Sequence, residues 1–93
     1  MKKCIFCNIE SDKIIIENNT SLAFYDRYPV NNGHVLIVPK RHVSDYFMLT
    51  HSEKIDIWNL LDEIKPLISK EFQPDGINIG INIGESAGQT IFH

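Results

Sequence analysis

This sequence of 93 residues has two cysteines, no long apolar run and no excess of basic residues. A membrane-spanning helix needs about 20 consecutive, mostly apolar residues. No segment approaches that length, so we expect no membrane partner. Nine Lys and Arg stand against twelve Asp and Glu, with a formal net charge of −3. This balance argues against a surface that binds duplex nucleic acid.

We also expect no secretion signal. Two lysines follow Met1, as in the start of such a signal, but Asn8, Glu10 and Asp12 interrupt the apolar stretch that comes next. We therefore expect a cytoplasmic protein, whose two thiols stay reduced. No linker, low-complexity tract or break in composition divides the sequence, so residues 1–93 are predicted to form one domain. A domain of this size buries only about 60–65% of the surface of its unfolded chain, and a metal or a dimer interface would add stability.

The first half of the sequence has the pattern of three short strands. Residues 14–16 and 22–25 are apolar and flank Asn18 and Asn19, which predicts a two-stranded hairpin. A turn at residues 31–33 leads into the nearly continuous apolar run 34–38, which ends at Pro39. Because this third run is apolar on both faces, we expect it to be central in the sheet.

The second half begins with one long helix. Thr50 and Glu53 have the spacing of a capping box. Apolar residues then recur at steps of three and four, which predicts one buried helical face made of Ile55, Trp58, Leu61, Ile64, Ile68 and Phe72. Pro66 predicts a kink or a break in this helix, and residues 73–76 are expected to end it.

Isoleucine alternates with Asn and Gly over residues 77–83, a period of two that predicts a strand. Residues 89–93 are expected to begin a last strand. The order of strands, one long helix and further strands predicts an α+β domain with a mostly antiparallel sheet.

Cys4 and Cys7 are separated by two residues, the gap that lets two thiolates bind one tetrahedral cation. Such a site needs two further ligands, and the sequence contains four histidines: His34, His42, His51 and His93. Spacing alone does not choose among them. A redox Cys-x-x-Cys pair and two unrelated thiols remain alternatives, although redox pairs usually lie in a strand-to-helix turn that is not evident here.

Several short motifs, in this order, resemble the histidine triad (HIT) family. They are Cys4-Ile5-Phe6-Cys7, Leu22-Ala23-Phe24-x-Asp26, Gly33-His34-x-Leu36-x-Val38-Pro39-Lys40-x-His42 and Gly88-Gln89-Thr90-x-Phe92-His93. The resemblance covers nearly the whole chain. It implies a HIT-like domain with a sheet of about five strands, one long helix and a short N-terminal helix, in which the last strand is cut short.

The resemblance also implies a zinc site. In the Cys-x-x-Cys branch of the family, the ligands correspond here to Cys4, Cys7, His42 and His93. Four protein ligands with no open position make a structural zinc rather than a catalytic one.

A nucleotide pocket is implied in the same way. Asp26 resembles the acid that binds the ribose hydroxyls, with a turn residue as the alternative. Asn82, Gln89 and Thr90 resemble residues that contact the α-phosphate and the leaving group. An apolar slot for the base is implied for Ile5, Phe6, Ile9 and Phe24, which could equally be core. The implied ligand is a purine nucleotide or a nucleoside phosphoramidate.

In the HIT family, an imidazole attacks the α-phosphorus of a nucleoside phosphoramidate or a dinucleoside polyphosphate. His93 corresponds to the first histidine of the triad, and the nucleophile would lie two residues later. The resemblance therefore implies a nucleotide hydrolase or transferase domain that ends before the second and third triad histidines, and the 93-residue chain is expected to be inactive. A non-catalytic, zinc-stabilised domain that binds nucleotides or a protein is the alternative. The resemblance further implies a homodimer.

Overall fold

The computed structural model describes residues 4–26, 33–84 and 86. Three strands form one antiparallel sheet in the order β1 (Ile14–Glu17), β2 (Ser21–Tyr25) and β3 (Val35–Pro39). One long helix, α1 (His51–Phe72), follows. Short 3-10 helices lie at Ile5–Asn8, Ser11–Lys13 and Tyr46–Met48. None of the helices within these residues is long and apolar enough to cross a membrane.

The predicted hairpin is confirmed. Strand β1 pairs with β2, and Asn18 closes the turn by accepting hydrogen bonds from the backbone and hydroxyl of Ser21 at 3.0 and 2.7 Å. The turn is also attached to the helix. Asn18 Nδ2 donates to the backbone oxygen of Asp56 at 2.7 Å, and Thr20 donates to the Asp56 carboxylate at 2.6 Å. These bonds dock the hairpin on the first turns of α1.

Strand β2, rather than β3, is the central strand among the described residues. Strand β3 has one neighbour in this described part of the sheet, and because residues 87–93 lie outside it, the central position of β3 stays a prediction. In β2 the four residues Ser21 to Phe24 are buried. Its alternating side chains enter two separate apolar clusters, one on each face of the sheet.

One face of the sheet packs on α1. Ala23 and the helix residues Leu60 and Ile64 are almost fully buried there, at 0%, 0% and 2% exposure. The opposite face, which we call the Phe24 face, consists of Leu22, Phe24, Leu36 and Val38. It is covered by the N-terminal residues Phe6 and Ile9.

Helix α1 begins with the capping box that the sequence predicts. The Thr50 hydroxyl accepts from the backbone of Glu53 at 3.1 Å, and the Glu53 carboxylate accepts from the backbone of Thr50 at 2.9 Å. The helix ends at Gln73, which adopts a left-handed conformation with φ of 48°. The predicted end at residues 73–76 is thus confirmed. A break at Pro66 does not occur, because the helix continues to Phe72 and the flanking Ile64 and Ile68 pack on the sheet.

The buried face of α1 differs from the predicted one. Ile64 is buried as predicted, and Leu61 and Ile68 pack at the edge of the same cluster. However, Ile55 and Trp58 are 45% and 43% exposed. The helix carries apolar residues on more than one stripe, so periodicity alone could not select the stripe that faces the sheet.

Residues 77–83 do not pair with any strand in the described part of the chain, so the strand predicted there is not observed. Ile77, Ile79 and Ile81 are about half exposed. Alternation indicates a segment with an apolar side, but a strand also needs a free sheet edge to pair with. The other predicted strand, residues 89–93, lies outside the described residues.

Gly33 connects the predicted turn to β3. Its φ of +85° is one that residues with a Cβ rarely adopt. A Cβ placed there would also lie 3.1 Å from the Phe72 ring. The start of β3 therefore requires glycine, and the position of the next residue, His34, is fixed against the end of α1. Asn31 and Asn32 lie outside the described residues.

Candidate nucleotide and metal site

The N-terminal 3-10 helix brings three possible metal ligands together. Cys4 precedes the helix and Cys7 lies within it, so one turn separates the two thiols. The helix is closed by the Cys7 backbone, which donates to the Cys4 oxygen at 3.1 Å, and by Asn8 Nδ2, which donates to the same oxygen at 2.9 Å. The third ligand comes from the segment after β3, where His42 Nδ1 lies 3.3 Å from Cys7 Sγ.

These three groups suit a soft divalent cation. The ligand atoms of Cys4, Cys7 and His42 all lie within 4.8 Å of one another. Zinc bonds of about 2.1–2.3 Å in a tetrahedron separate the ligand atoms by roughly 3.5–4 Å, so little movement is needed to bind one ion. Desolvation, followed by the hydrogen bond and the charge of Cys4, raises the pKa of the Cys7 thiol. The two neighbouring thiols therefore disfavour the charged thiolate forms, whereas a bound cation would favour them. The fourth predicted ligand, His93, lies outside the described residues.

An ion pair next to His42 fixes the segment that carries this imidazole. Arg41 binds Glu53 through two hydrogen bonds, Nη2 to Oε1 at 2.8 Å and Nε to Oε2 at 3.1 Å. Glu53 is 7% exposed and belongs to the capping box of α1. The Arg41 hydrogen bonds, together with that from the Thr50 backbone, lower the pKa of Glu53 to about 2. The pair therefore joins the end of the sheet to the start of the helix.

The apolar residues predicted for the base slot meet on the Phe24 face. The rings of Phe6 and Phe24 are 5.3 Å apart and tilted by 60°. Ile9 packs against the same cluster, whereas Ile5 is 52% exposed and is not part of it. Phe6 and Ile9 are only partly buried, so they have surface left for a ligand.

Asp26 lies just beyond Phe24 on the same strand. In an extended chain residues two apart point to the same face, which places Asp26 beside the Phe24 face. Its carboxylate oxygen Oδ2 is 3.4 Å from His34 Nδ1, and the Asp26 and His34 side chains are 25% and 36% exposed. Asn82 is exposed at the other end of the described chain. Gln89 and Thr90 lie outside the described residues.

Three polar residues, His34, Arg41 and Glu53, form ion pairs in the structure that their sequence pattern does not indicate. His34 pairs with Asp26, and Arg41 pairs with Glu53. Glu53 was expected only as a capping residue, and neither ion pair could be recognised from the sequence because the partners are 8 and 12 residues apart. His51, by contrast, is the exposed first residue of α1.

Comparison with known proteins identifies the family. The model of the HIT domain matches residues 8–93. An uncharacterised HIT-like protein of Saccharolobus solfataricus is 35% identical over 94 residues, which cover 97% of this chain and 68% of that protein. The bis(5′-adenosyl)-triphosphatase of Dictyostelium discoideum is 36% identical over 85 residues, 91% of this chain and 57% of the enzyme.

Comparison with solved structures points to the same family. A HIT family protein of Bacillus subtilis has a TM-score of 0.87 and 35% identity, covering 99% of this chain and 68% of that chain. The predicted HIT-like α+β fold with an antiparallel sheet and one long helix is thereby confirmed. The chain spans about two thirds of the length of its HIT-like relatives. Its motifs, its fold and these similarities show that the chain belongs to the HIT domain family.

Proposed function

We propose that this chain is the nucleoside-binding part of a HIT-family hydrolase or transferase that acts at the α-phosphate of nucleoside phosphoramidates or dinucleoside polyphosphates. The observation that carries the proposal is the Phe24 face. There an aromatic pair, formed by Phe6 and Phe24, lies beside the carboxylate of Asp26, which is still partly exposed.

These residues have the chemistry that a nucleoside requires. An aromatic and aliphatic surface binds the flat base through apolar and stacking contacts. A carboxylate accepts hydrogen bonds from two hydroxyls at once, as the vicinal hydroxyls of ribose offer. The Dictyostelium relative is named as an enzyme for a substrate that contains two adenosines, which supports a purine nucleoside as the ligand.

In the proposed reaction, an imidazole nitrogen forms a bond to the α-phosphorus while the bond to the leaving group breaks. Water then attacks the same phosphorus, and nucleoside monophosphate and free imidazole result. The reaction is thus divided into two easier displacements. The nucleophile corresponds to a position two residues after His93, so a polypeptide limited to residues 1–93 is expected to bind nucleotide without turnover.

The three candidate ligands Cys4, Cys7 and His42 support a structural zinc, with His93 as the proposed fourth ligand. Such an ion would supply no chemistry to the reaction. It would link the 3-10 helix that carries Phe6 to the segment after β3, and so hold Phe6 over the Phe24 face. The homodimer and the cytoplasmic location stay predictions.

Calorimetric titration with adenosine 5′-monophosphate tests the nucleotide site. We expect Asp26→Ala to weaken binding at least about tenfold, which corresponds to 1.4 kcal/mol. His51→Ala, at an exposed histidine on α1, serves as the matched control and should bind like the wild type. Equal affinity of wild type and Asp26→Ala would contradict the assignment of the ribose site.

Turnover is tested with adenosine phosphoramidate, on the 1–93 polypeptide and on a version extended with an x-His-x-His segment after His93, in which x is an apolar residue. Release of adenosine 5′-monophosphate only by the extended version is expected. If the extended version binds nucleotide but releases none, a non-catalytic nucleotide-binding domain becomes the better assignment. Turnover by the 1–93 polypeptide would show that the nucleophile is a different residue.

The metal site is tested by elemental analysis of protein purified without chelators. One zinc per chain is expected, and Cys4→Ala should lose it while His51→Ala retains it. A metal-free wild-type protein would contradict the proposal.

A further inference from the structure

We propose that His34 is a positioning residue of the nucleoside site, which orients the Asp26 carboxylate for the two vicinal hydroxyls of a ribose. This inference rests on the proposed function and deepens it. The alternative role of His34 is that of a half-buried core histidine, and the contact of its Nδ1 with Asp26 Oδ2 at 3.4 Å favours the positioning role.

The pairing of the two side chains follows from strand register. Strands β2 and β3 are paired up to Tyr25 and Val35. One step further, the Asp26 backbone N–H donates to the His34 oxygen at 2.9 Å. Opposed residues of an antiparallel pair carry their side chains on the same face. Strand register therefore places the two side chains on the same face, where His34 Nδ1 lies 3.4 Å from Asp26 Oδ2.

The backbone of His34 is itself held in place. Gly33, with its positive φ, brings the chain against the Phe72 ring at the end of α1. On the other side, Val35 enters the cluster between sheet and helix. His34 is thus supported from both neighbours and can serve as a rigid partner for the shorter Asp26 side chain.

A fixed carboxylate matters for a diol. The terminal torsion of an aspartate is broad and roughly two-fold, so an unsupported carboxylate samples many orientations of its plane. Accepting a hydrogen bond from each of two adjacent hydroxyls needs one orientation. The two oxygens of a carboxylate offer about four acceptor positions, so a contact with His34 at Oδ2 is compatible with hydrogen bonds from two hydroxyls. Orienting the acceptor before the ligand arrives lowers the entropy cost of binding.

The two side chains are accessible enough for this role. Asp26 is 25% and His34 36% exposed, so a ligand on the Phe24 face can reach the carboxylate while the imidazole supports it from the other strand. The chemical class that this arrangement recognises is a ribonucleotide, and a sugar without the vicinal hydroxyls should gain nothing from it.

The experiment compares two ligands that differ only in those hydroxyls. Adenosine 5′-monophosphate and its 2′,3′-dideoxy analogue are titrated calorimetrically into the wild-type protein, His34→Ala, His34→Asn and the control His51→Ala. Loss of one hydrogen bond to a charged group weakens binding by about tenfold or more. We expect this loss in His34→Ala for the ribonucleotide, and less than about a twofold change for the dideoxy analogue.

His34→Asn supplies the matched rescue. The Asn amide nitrogen occupies nearly the position of the His Nδ1 and can donate to the same carboxylate oxygen, so ribonucleotide affinity should recover. Circular dichroism confirms that each variant is folded, and the Asn variant keeps the experiment decisive if His34→Ala does not fold.

The outcomes separate the two proposals. If the wild type prefers the ribonucleotide and both His34 variants keep that preference in full, the positioning role is overturned while the proposed function stands. An equal loss for both ligands would show that His34 only supports the fold. If the wild type binds neither ligand, the proposed function fails and this inference fails with it.

Discussion

The Glu53–Arg41 pair offers the sharpest test of how the structure is held together. We consider Glu53→Gln, which preserves the shape of the side chain and leaves a residue that is well suited to this position of a capping box. What the substitution removes is the negative charge that receives both hydrogen bonds of Arg41, at 2.8 and 3.1 Å. The glutamine amide can accept only on its oxygen, so one Arg41 donor loses its acceptor.

The magnitude follows from the pKa. The pKa of Glu53 falls from its ordinary value of 4.5 to about 2, first because of the Arg41 hydrogen bond and then because of that from the Thr50 backbone. At about 1.4 kcal/mol per pKa unit, this shift sets a ceiling of roughly 3.5 kcal/mol. The Arg41 side chain is 53% exposed, so solvent screens the pair. We therefore expect Glu53→Gln to lower the free energy of unfolding by about 1–2 kcal/mol at pH 7.

The pH dependence has a definite sign. Since the pKa of Glu53 is lower in the folded state, the stabilisation is fully present above about pH 4.5 and is lost as the pH falls towards about 2. The difference in stability between wild type and Glu53→Gln should therefore shrink across that range. Both proteins are measured with a chelator present, so that bound metal contributes to neither.

Urea unfolding of both proteins at several pH values between 2.5 and about 7 measures this difference. A double-mutant cycle with Arg41→Gln supplies the control, because a direct interaction requires a coupling energy between the two positions, about 1 kcal/mol here. Additive effects of the two substitutions, or a difference that stays constant from neutral pH to pH 3, would refute the reasoning.

Three further outcomes are expected from other parts of the structure. Leu60→Ala removes a side chain with 0% exposure and should cost about 2–4 kcal/mol in urea unfolding, whereas Leu67→Ala, at 42% exposure, should cost less than about 1 kcal/mol. Phe6→Ala removes the ring that lies 5.3 Å from the Phe24 ring and should weaken adenosine 5′-monophosphate binding about tenfold in calorimetry. Its control, Phe47→Ala, changes an aromatic residue that is 73% exposed and should leave this affinity unchanged. Removing metal with a chelator should lower the melting temperature of the wild type by several degrees and leave that of Cys7→Ser unchanged. An equal response of both proteins would argue against a metal bound by Cys7.

The elements that could be predicted are those whose cause is local. The capping box depends on Thr50 and Glu53, three residues apart, and the hairpin depends on a polar turn between two apolar runs; both are observed. The end of α1 at Gln73 is equally local. The long helix was predictable from its apolar periodicity, although the phase of its buried face was not, since Trp58 is 43% exposed and Leu60 is fully buried.

Predictions that depended on distant partners were less accurate. Residues 77–83 alternate as a strand does, yet they pair with no strand among the described residues. The apolar run of β3 predicted a central strand, whereas in the described part of the sheet β2 has a neighbour on each side and β3 has one. The metal ligands also differ in how far they could be predicted. The Cys4 and Cys7 pair follows from local spacing, whereas the family resemblance was needed to select His42 among four histidines.

The sequence by itself determined the family motifs, the thiol pair, the helix cap and the chemical character of the Phe24 face, because each of these depends on residues that are near one another in the chain. Only the tertiary structure decided that the His42 imidazole meets the thiols, that Arg41 neutralises Glu53, and that His34 lies beside Asp26. These contacts depend on strand register and on the docking of α1, which arise from the packing of the whole domain and not from any local pattern.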